Sequence, residues 1–248
     1  MKLGQGRSQT ILMTTQHIDS VERIGFGIVS SLLPDDLRQD VLALFDGDPG
    51  RVGRRDGLAF EAVRAAATSD AIRGVVDNIL GRGAFATKAT LFDKTPASNW
   101  LVPWHQDVTI AVRTRRETEG FDAWSTKGGV AHVRPPLEVL ESMVAVRLDL
   151  DGTTELNGPL RVFPGTHDRG ILSPQEIQGI GDSQLPVNCL IPPSGGLIMR
   201  PLLLHASSKA VKPTNRRIVH PEFAAGNLPG GLEWRDRHAL HDPTHQQM

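Results

Sequence analysis

The sequence predicts a mainly β chain of the α+β class, a jelly-roll barrel with supporting helices at its N-terminal side. Two observations carry this expectation. Two helical stretches come first, and short β-type segments then follow, punctuated by Pro, Gly and Asn and lacking the βαβ alternation of a doubly wound sheet. At 248 residues and 39% hydrophobic content, the chain is long enough to bury a substantial core, and one domain is the simplest count.

The helical part is expected over about 18–82. From Pro34 to Phe45, Leu37, Val41, Leu44 and Phe45 recur at helical spacing behind Asp35 and Asp36, which place acids at the positive end of a helix. A second stretch, Leu58 to Leu80, carries Phe60, Val63, Ala67, Ile72, Val75, Val76 and Ile79 on one side and is expected to break near Ser69 and Asp70. The β body is expected over about 84–225, in segments Ala84 to Phe92, Trp104 to Val112, Met143 to Leu150, Leu160 to Phe163, Leu197 to Leu204 and Arg216 to Phe223. Between Met143 and Asp151, aliphatic Val144, Val146, Leu148 and Leu150 alternate with a set that includes Arg147 and Asp149, as in a barrel wall. Thr114 to Pro136 is polar and aperiodic and reads as a long loop, which would leave Trp124 available to a ligand and His132 on a loop. Residues 226–248, with His238, His241 and His245, read as a solvated tail.

Composition excludes several functions. A net charge of -1 gives no electrostatic basis for nucleic-acid binding. No segment approaches the roughly 20 apolar residues of a membrane span, because Arg200 interrupts the most hydrophobic stretch. Met1 to Ser20 lacks a secretory apolar region, and the single cysteine, Cys189, fits a reducing compartment, so a cytoplasmic location is expected. The expected partner is a small-molecule substrate; oligomeric state is not encoded legibly.

The chemistry centres on Trp104-His105-Gln106-Asp107. On a strand, residues two apart share a face, so His105 and Asp107 can grip one ion, and His205, expected at the end of the apolar strand Leu197 to Leu204, offers a third ligand. Two histidines and a carboxylate leave octahedral positions open, the donor set of non-haem Fe(II) centres, although zinc hydrolases use the same ligand types. Arg216 follows His205 by eleven residues and offers a guanidinium fork for the far carboxylate of a chelating dicarboxylate; Ser207 could add a hydroxyl. Arg217 projects to the opposite strand face unless a bulge intervenes. Lys88, Lys94, Arg134 and Arg147 read individually as surface or rim ion pairs, but two or more facing the cavity would mean an anionic substrate. Arg147 and Trp124 are the candidate substrate contacts. Asn157-Gly158-Pro159 and Pro164-Gly165 read as turns, and His167 as a residue near the cavity mouth rather than a ligand.

These residues, with the stretch Asn157 to His167 that looks like a signature hairpin, resemble the phytanoyl-CoA dioxygenase family of Fe(II)/2-oxoglutarate oxygenases over approximately Ala84 to Ala225. The resemblance implies a double-stranded β-helix, a cupin-like barrel. It further implies His105, Asp107 and His205 as iron ligands, Arg216 with Ser207 as the 2-oxoglutarate site, and Fe(II), 2-oxoglutarate and O2 as cofactor and cosubstrates. The implied reaction is hydroxylation or a related oxidation with release of succinate and CO2. Leu91-Phe92-Asp93-Lys94-Thr95-Pro96 before Trp100 and Trp104 looks like a bacterial branch, so a phytanoyl-CoA substrate is not implied. Asp107 separates the chain from halogenating relatives, which lack the carboxylate. Two alternatives stand beside this reading: a metal-dependent hydrolase or isomerase on the same barrel, which would need no Arg216, and a non-catalytic sensor of iron and 2-oxoglutarate. The chain has no tyrosine, so any phenolic hydrogen bond used by relatives must come from another group.

Overall fold

Side-chain alternation along three long strands divides the molecule into a sealed side and an open one. The computed structural model describes residues 18–46 and 53–241. Helices α1 (Asp35–Leu42), α2 (Glu61–Ala67) and α3 (Asp70–Leu80) follow a first strand, Phe26–Val29, and precede the rest of the β body, with 3-10 turns at Ala43–Phe45 and Gly57–Ala59. The expected break falls between α2 and α3, where Ser69 adopts extended backbone before Asp70 starts the next helix.

Strands β1 (Phe26–Val29), β2 (Phe85–Lys94), β3 (Val102–His105) and β4 (Ile110–Val112) are followed by β5 (Asp122–Lys127) and β6 (Val130–Arg134). Helix α4 (Leu137–Glu141) leads into β7 (Met143–Asp149) and β8 (Leu160–Val162), and helix α5 (Pro174–Ser183) into β9 (Val187–Cys189) and β10 (Gly196–Met199). The chain continues through β11 (His205–Ser207) and β12 (Arg216–Ala224) to β13 (His238–Ala239). They form a six-stranded sheet in the order β1-β10-β7-β12-β2-β13, a four-stranded sheet β3-β11-β8-β9, and a three-stranded sheet β4-β6-β5. Among the described residues every strand pair is antiparallel.

One face of the large sheet is aliphatic. Ala89 and Leu91 of β2, Val144, Val146 and Leu148 of β7, and Val219 and Phe223 of β12 pack with Val63, Ala66, Ile72, Val75 and Val76 of the helices in one buried cluster. Burial of this area is the main source of stability for the helical layer. The opposite residues of the same strands, among them Lys88, Thr90, Lys94, Arg147, Arg216, His220 and Glu222, line a cavity that also receives residues of β3, β8 and β11. The alternation read in Met143–Asp149 is therefore real, but its charged face is enclosed rather than wet: Arg147 and Asp149 are both buried. Cys189 is also fully buried, within the cluster of Leu160, Val162 and Leu197.

Four expectations need correction. The segment Trp104 to Val112 is two strands, because after His105 the chain leaves the sheet and the Asp107 amide donates to the Pro201 carbonyl. The segment Leu197 to Leu204 ends as a strand at Met199; the amide of Leu203 closes a turn on the Arg200 carbonyl, and His205 opens a new strand. Thr114 to Pro136 holds the hairpin β5–β6, joined by Gly128 and Gly129 at φ +59° and +78°, the conformation that two-residue hairpin turns require. His132 therefore lies on a strand and is buried. Residues 226–241 of the expected tail are packed against the body: β13 pairs with β2, Trp234 packs edge-on against Phe85 at 6.0 Å, and His241 Nε2 lies 2.7 Å from Asp77 Oδ2. His245 and nearly all of the Met1 to Ser20 segment lie outside the described residues. Among the described residues no helix is long and apolar enough to cross a membrane.

Candidate metal centre

Antiparallel pairing of β3 with β11 sets His105 directly opposite His205, and the two rings lie 4.2 Å apart between centroids. Each imidazole is tied back through Nδ1 to a carbonyl two residues earlier, His105 to Pro103 at 2.9 Å and His205 to Leu203 at 2.8 Å. Such a bond places the proton on Nδ1 and leaves the Nε2 lone pair free. Asp107 completes the group: its carboxylate lies 3.9 Å from His105 Nε2 and 3.7 Å from His205 Nε2. One ligand atom from each of the three residues falls within 4.8 Å of the others.

Asp107 reaches this position because Gln106 turns the other way. The Gln106 amide donates to the carbonyls of Gly170 at 2.8 Å and Leu202 at 2.7 Å and accepts from the Leu172 amide at 2.8 Å. Three backbone partners pin that side chain outside the cavity and force both neighbours inward. Gln106 is part of the motif read from the sequence, yet its positioning role is visible only in the fold, since its partners are remote in the chain.

The electrostatics suit a divalent cation. Burial alone would raise the Asp107 carboxyl, but His205, His220, His105 and Lys88 hold it at about 2. Burial depresses His205 to about 4, so its ring is neutral at neutral pH. Anionic carboxylate and neutral imidazoles are the protonation states in which these groups bind metal.

Arg216 extends from β12 into the same cavity and is almost completely buried, whereas Arg217 turns away and forms a two-pronged pair with Asp151, at 2.9 and 2.6 Å. Arg216 and Arg217 project to opposite faces, as the alternation predicts, because the register shift of β12 comes later, between Glu222 and Phe223. Arg216 Nη1 donates to the Gly158 carbonyl, while its Nε has no hydrogen-bond partner among the described residues. Gly158 supplies that carbonyl from φ +75°, and a Cβ there would sit 2.7 Å from the Ser208 carbonyl oxygen, so the turn has a second role beyond shaping the hairpin. Directly across the ladder from Arg216 lies Lys94, whose Nζ donates to Ser207 Oγ at 2.8 Å and to the Ser208 carbonyl at 3.1 Å. Burial, with Arg216 and Arg147 nearby, lowers the Lys94 ammonium to about 7, and burial with Arg147 lowers Arg216 to about 9. Two buried like charges on paired positions are unfavourable alone and fit an anion between them.

Of the other candidates, Arg147 lines the cavity, 3.8 Å from Asp149. Trp124 does not line it: it packs against the cluster of Phe121, Val133 and Trp234, with the Arg115 guanidinium 5.5 Å from its ring centroid. The hairpin that replaces the expected loop carries it to that side. Arg134 pairs with Asp122 on the same hairpin, and His167 bonds to the Glu22 carbonyl away from the metal group. His220 and Glu222 were not singled out from sequence, although the period-2 pattern Arg216, His220, Glu222 on one strand carries the signal.

The cavity measures about 350 Å³, within the range of small-molecule sites. A family model described as phytanoyl-CoA dioxygenase matches residues 40–227. No curated protein matches the chain in sequence. Among solved structures, EctD from S. alaskensis has a TM-score of 0.67 at 15% identity, covering 92% of this chain and 86% of that one. The epimerase SnoN, in complex with Fe3+, alpha ketoglutarate and nogalamycin RO, has a TM-score of 0.64 at 14% identity, covering 94% and 96%. AviO1 from Streptomyces viridochromogenes Tue57 has a TM-score of 0.61 at 16% identity, covering 87% and 98%. The likeness is one of fold, the double-stranded β-helix, with the small β3-β11-β8-β9 sheet closing over the large one.

Proposed function

The chain belongs to the phytanoyl-CoA dioxygenase family, and on that premise we propose that it is an Fe(II)- and 2-oxoglutarate-dependent oxygenase that hydroxylates, or otherwise oxidises, a small molecule. The observation that carries the reading is the convergence of His105, Asp107 and His205 in a cavity whose far wall holds Arg216. A hydrolytic metal site on the same barrel does not require a buried guanidinium, whereas a dicarboxylate cosubstrate does.

Each residue has a separate task. His105, Asp107 and His205 hold the metal, with both rings aimed by their carbonyl partners. Arg216 binds the distal carboxylate of 2-oxoglutarate, with Lys94 and Ser207 beside it, and charge-assisted pairing offsets the cost of burying that carboxylate. Arg147 lies close enough to Arg216 to depress it, so it contributes to the same anionic end. Trp104 stacks on Phe163 at 4.3 Å behind β3 and stiffens the wall that carries His105. Iron held by these three residues would supply, with 2-oxoglutarate and O2 as cosubstrates, the oxidising chemistry whose by-products are succinate and CO2.

Anaerobic titration of the protein with Fe(II) and then 2-oxoglutarate tests the reading. A weak visible charge-transfer band that disappears in His205→Ala supports a shared site, and substrate-dependent succinate formation separates the enzyme from a sensor. Metal binding with no band under saturating 2-oxoglutarate favours the hydrolase or isomerase instead.

A further inference from the structure

The metal ligands and Arg216 account for only part of the cavity. Its other part is formed by Lys88, Glu222, Lys127, His132, Thr109 and Arg55. Lys88 and Glu222, opposite each other on β2 and β12, pair at 2.6 Å and neutralise one another. Lys127, on the β5–β6 hairpin, has only the Thr109 hydroxyl, at 3.1 Å, as its hydrogen-bond partner among the described residues. Arg55 is exposed, and no carboxylate among the described residues pairs with it or with Lys127. His132 is buried and bonds through Nδ1 to the Val130 carbonyl at 3.1 Å, leaving Nε2 without a bonded partner among the described residues. Three cations thus share Glu222 with only one further carboxylate of the cavity, Asp107, which belongs to the metal group; with Asp107 committed to a metal, the excess is two positive charges. The excess continues outward, since Arg55, Lys88, Lys127 and His132 also line an adjoining groove of about 560 Å³. Burial, then Lys88 and Arg55, lower the Lys127 ammonium, and Asp107 and Glu222 offset this only in part.

A cluster of that kind gains when an anion enters, because like charges held in a partly dry site lose solvation that only an opposite charge restores. Resting on the oxygenase reading, we infer that Arg55, Lys127 and His132, backed by the Lys88–Glu222 pair, form a subsite for a carboxylate or phosphate group of the substrate, remote from the carbon that is oxidised. The metal end then receives 2-oxoglutarate, and the outer end selects an anionic substrate and fixes which carbon faces the metal.

The test uses Ni(II)-loaded protein saturated with 2-oxoglutarate, so that the Arg216 end is filled. Inorganic phosphate, benzoate and neutral benzamide are titrated by calorimetry into wild type, the Arg55→Gln/Lys127→Gln double variant, and Arg134→Gln, whose arginine pairs with Asp122 outside the cavity. Phosphate, benzoate or both are expected to bind once per chain, benzamide not. The double variant is expected to weaken anion binding by about tenfold or more, with Arg134→Gln and 2-oxoglutarate affinity unchanged. Which of the two anions binds identifies the group. Binding of neither, or equal binding in wild type and double variant, overturns the subsite. Failure of 2-oxoglutarate to bind at all is a failure of the oxygenase reading instead; the same anion titrations on apoprotein still report the subsite through the double variant.

Discussion

The two faces of the six-stranded sheet come from the same strands and differ in almost every physical respect. On one, Ala89, Leu91, Val146, Val219 and Phe223 are sealed by α2 and α3. On the other, one residue along, Lys88, Thr90, Lys94, Arg147, Arg216, His220 and Glu222 project into an enclosed space. The first face gains free energy from area removed from water; the second costs free energy by holding charges away from water and recovers part of it when ligands bind. Stability and chemistry are thus separated by one residue of register, and a one-residue slip of β2 or β12 would exchange them.

Substitutions on the two faces should therefore have separable effects. The largest is expected for Asp107→Ala, which should abolish succinate formation and weaken metal binding while thermal unfolding stays near that of wild type. On the sealed face, Phe223→Ala should cost about 3–5 kcal/mol of stability, measured by denaturant unfolding, and leave the 2-oxoglutarate requirement of the folded fraction unchanged. Arg216→Ala should raise that requirement by about tenfold or more, from loss of charge-assisted bonds worth about 1.5–3 kcal/mol. Should Arg216→Ala instead unfold the protein with an unchanged requirement, the inner face would be structural after all.

A pH dependence sharpens the distinction. Lys94 titrates at about 7 before an anion arrives. Below that pH it is cationic and assists a carboxylate; above it, binding 2-oxoglutarate requires a proton to be taken up. Affinity for 2-oxoglutarate should accordingly fall as pH rises above 7, at most about tenfold per unit, and Lys94→Met should flatten the profile up to about 9, where Arg216 itself begins to titrate. The smallest effect is expected for Gly158→Ala, where a side chain at positive φ strains the turn by about 1–2 kcal/mol and shifts the carbonyl that holds Arg216, seen as a few-fold rise in 2-oxoglutarate requirement.

The sequence made the helices and the principal strands legible because their apolar periodicities, 3.6 and 2, are local. Arg216 could be separated from Arg217 for the same reason. Asp107 could be named but not placed: the expectation put it on a strand with His105, and its real position depends on Gln106 reaching Gly170, Leu202 and Leu172. His220 and Glu222 stayed hidden because a polar face turned into a barrel and a polar face turned into water have the same pattern along the chain. Lys127 was hidden by reading Gly128 and Gly129 as loop residues, when two glycines at positive φ are also what a tight hairpin needs. The tail was misread because its ordering depends on contacts with Phe85 and Asp77, some 150 residues earlier.

Cys189 has a practical consequence. It is the only thiol in the chain, it is fully buried, and burial pushes it up to about 12, so almost none of it is thiolate at neutral pH. The native chain should be silent toward maleimide reagents until it unfolds. Any cysteine placed on the surface then becomes a unique attachment point for a spin label or fluorophore, and the depth of the metal site can be gauged by dipolar distance without first removing a native residue.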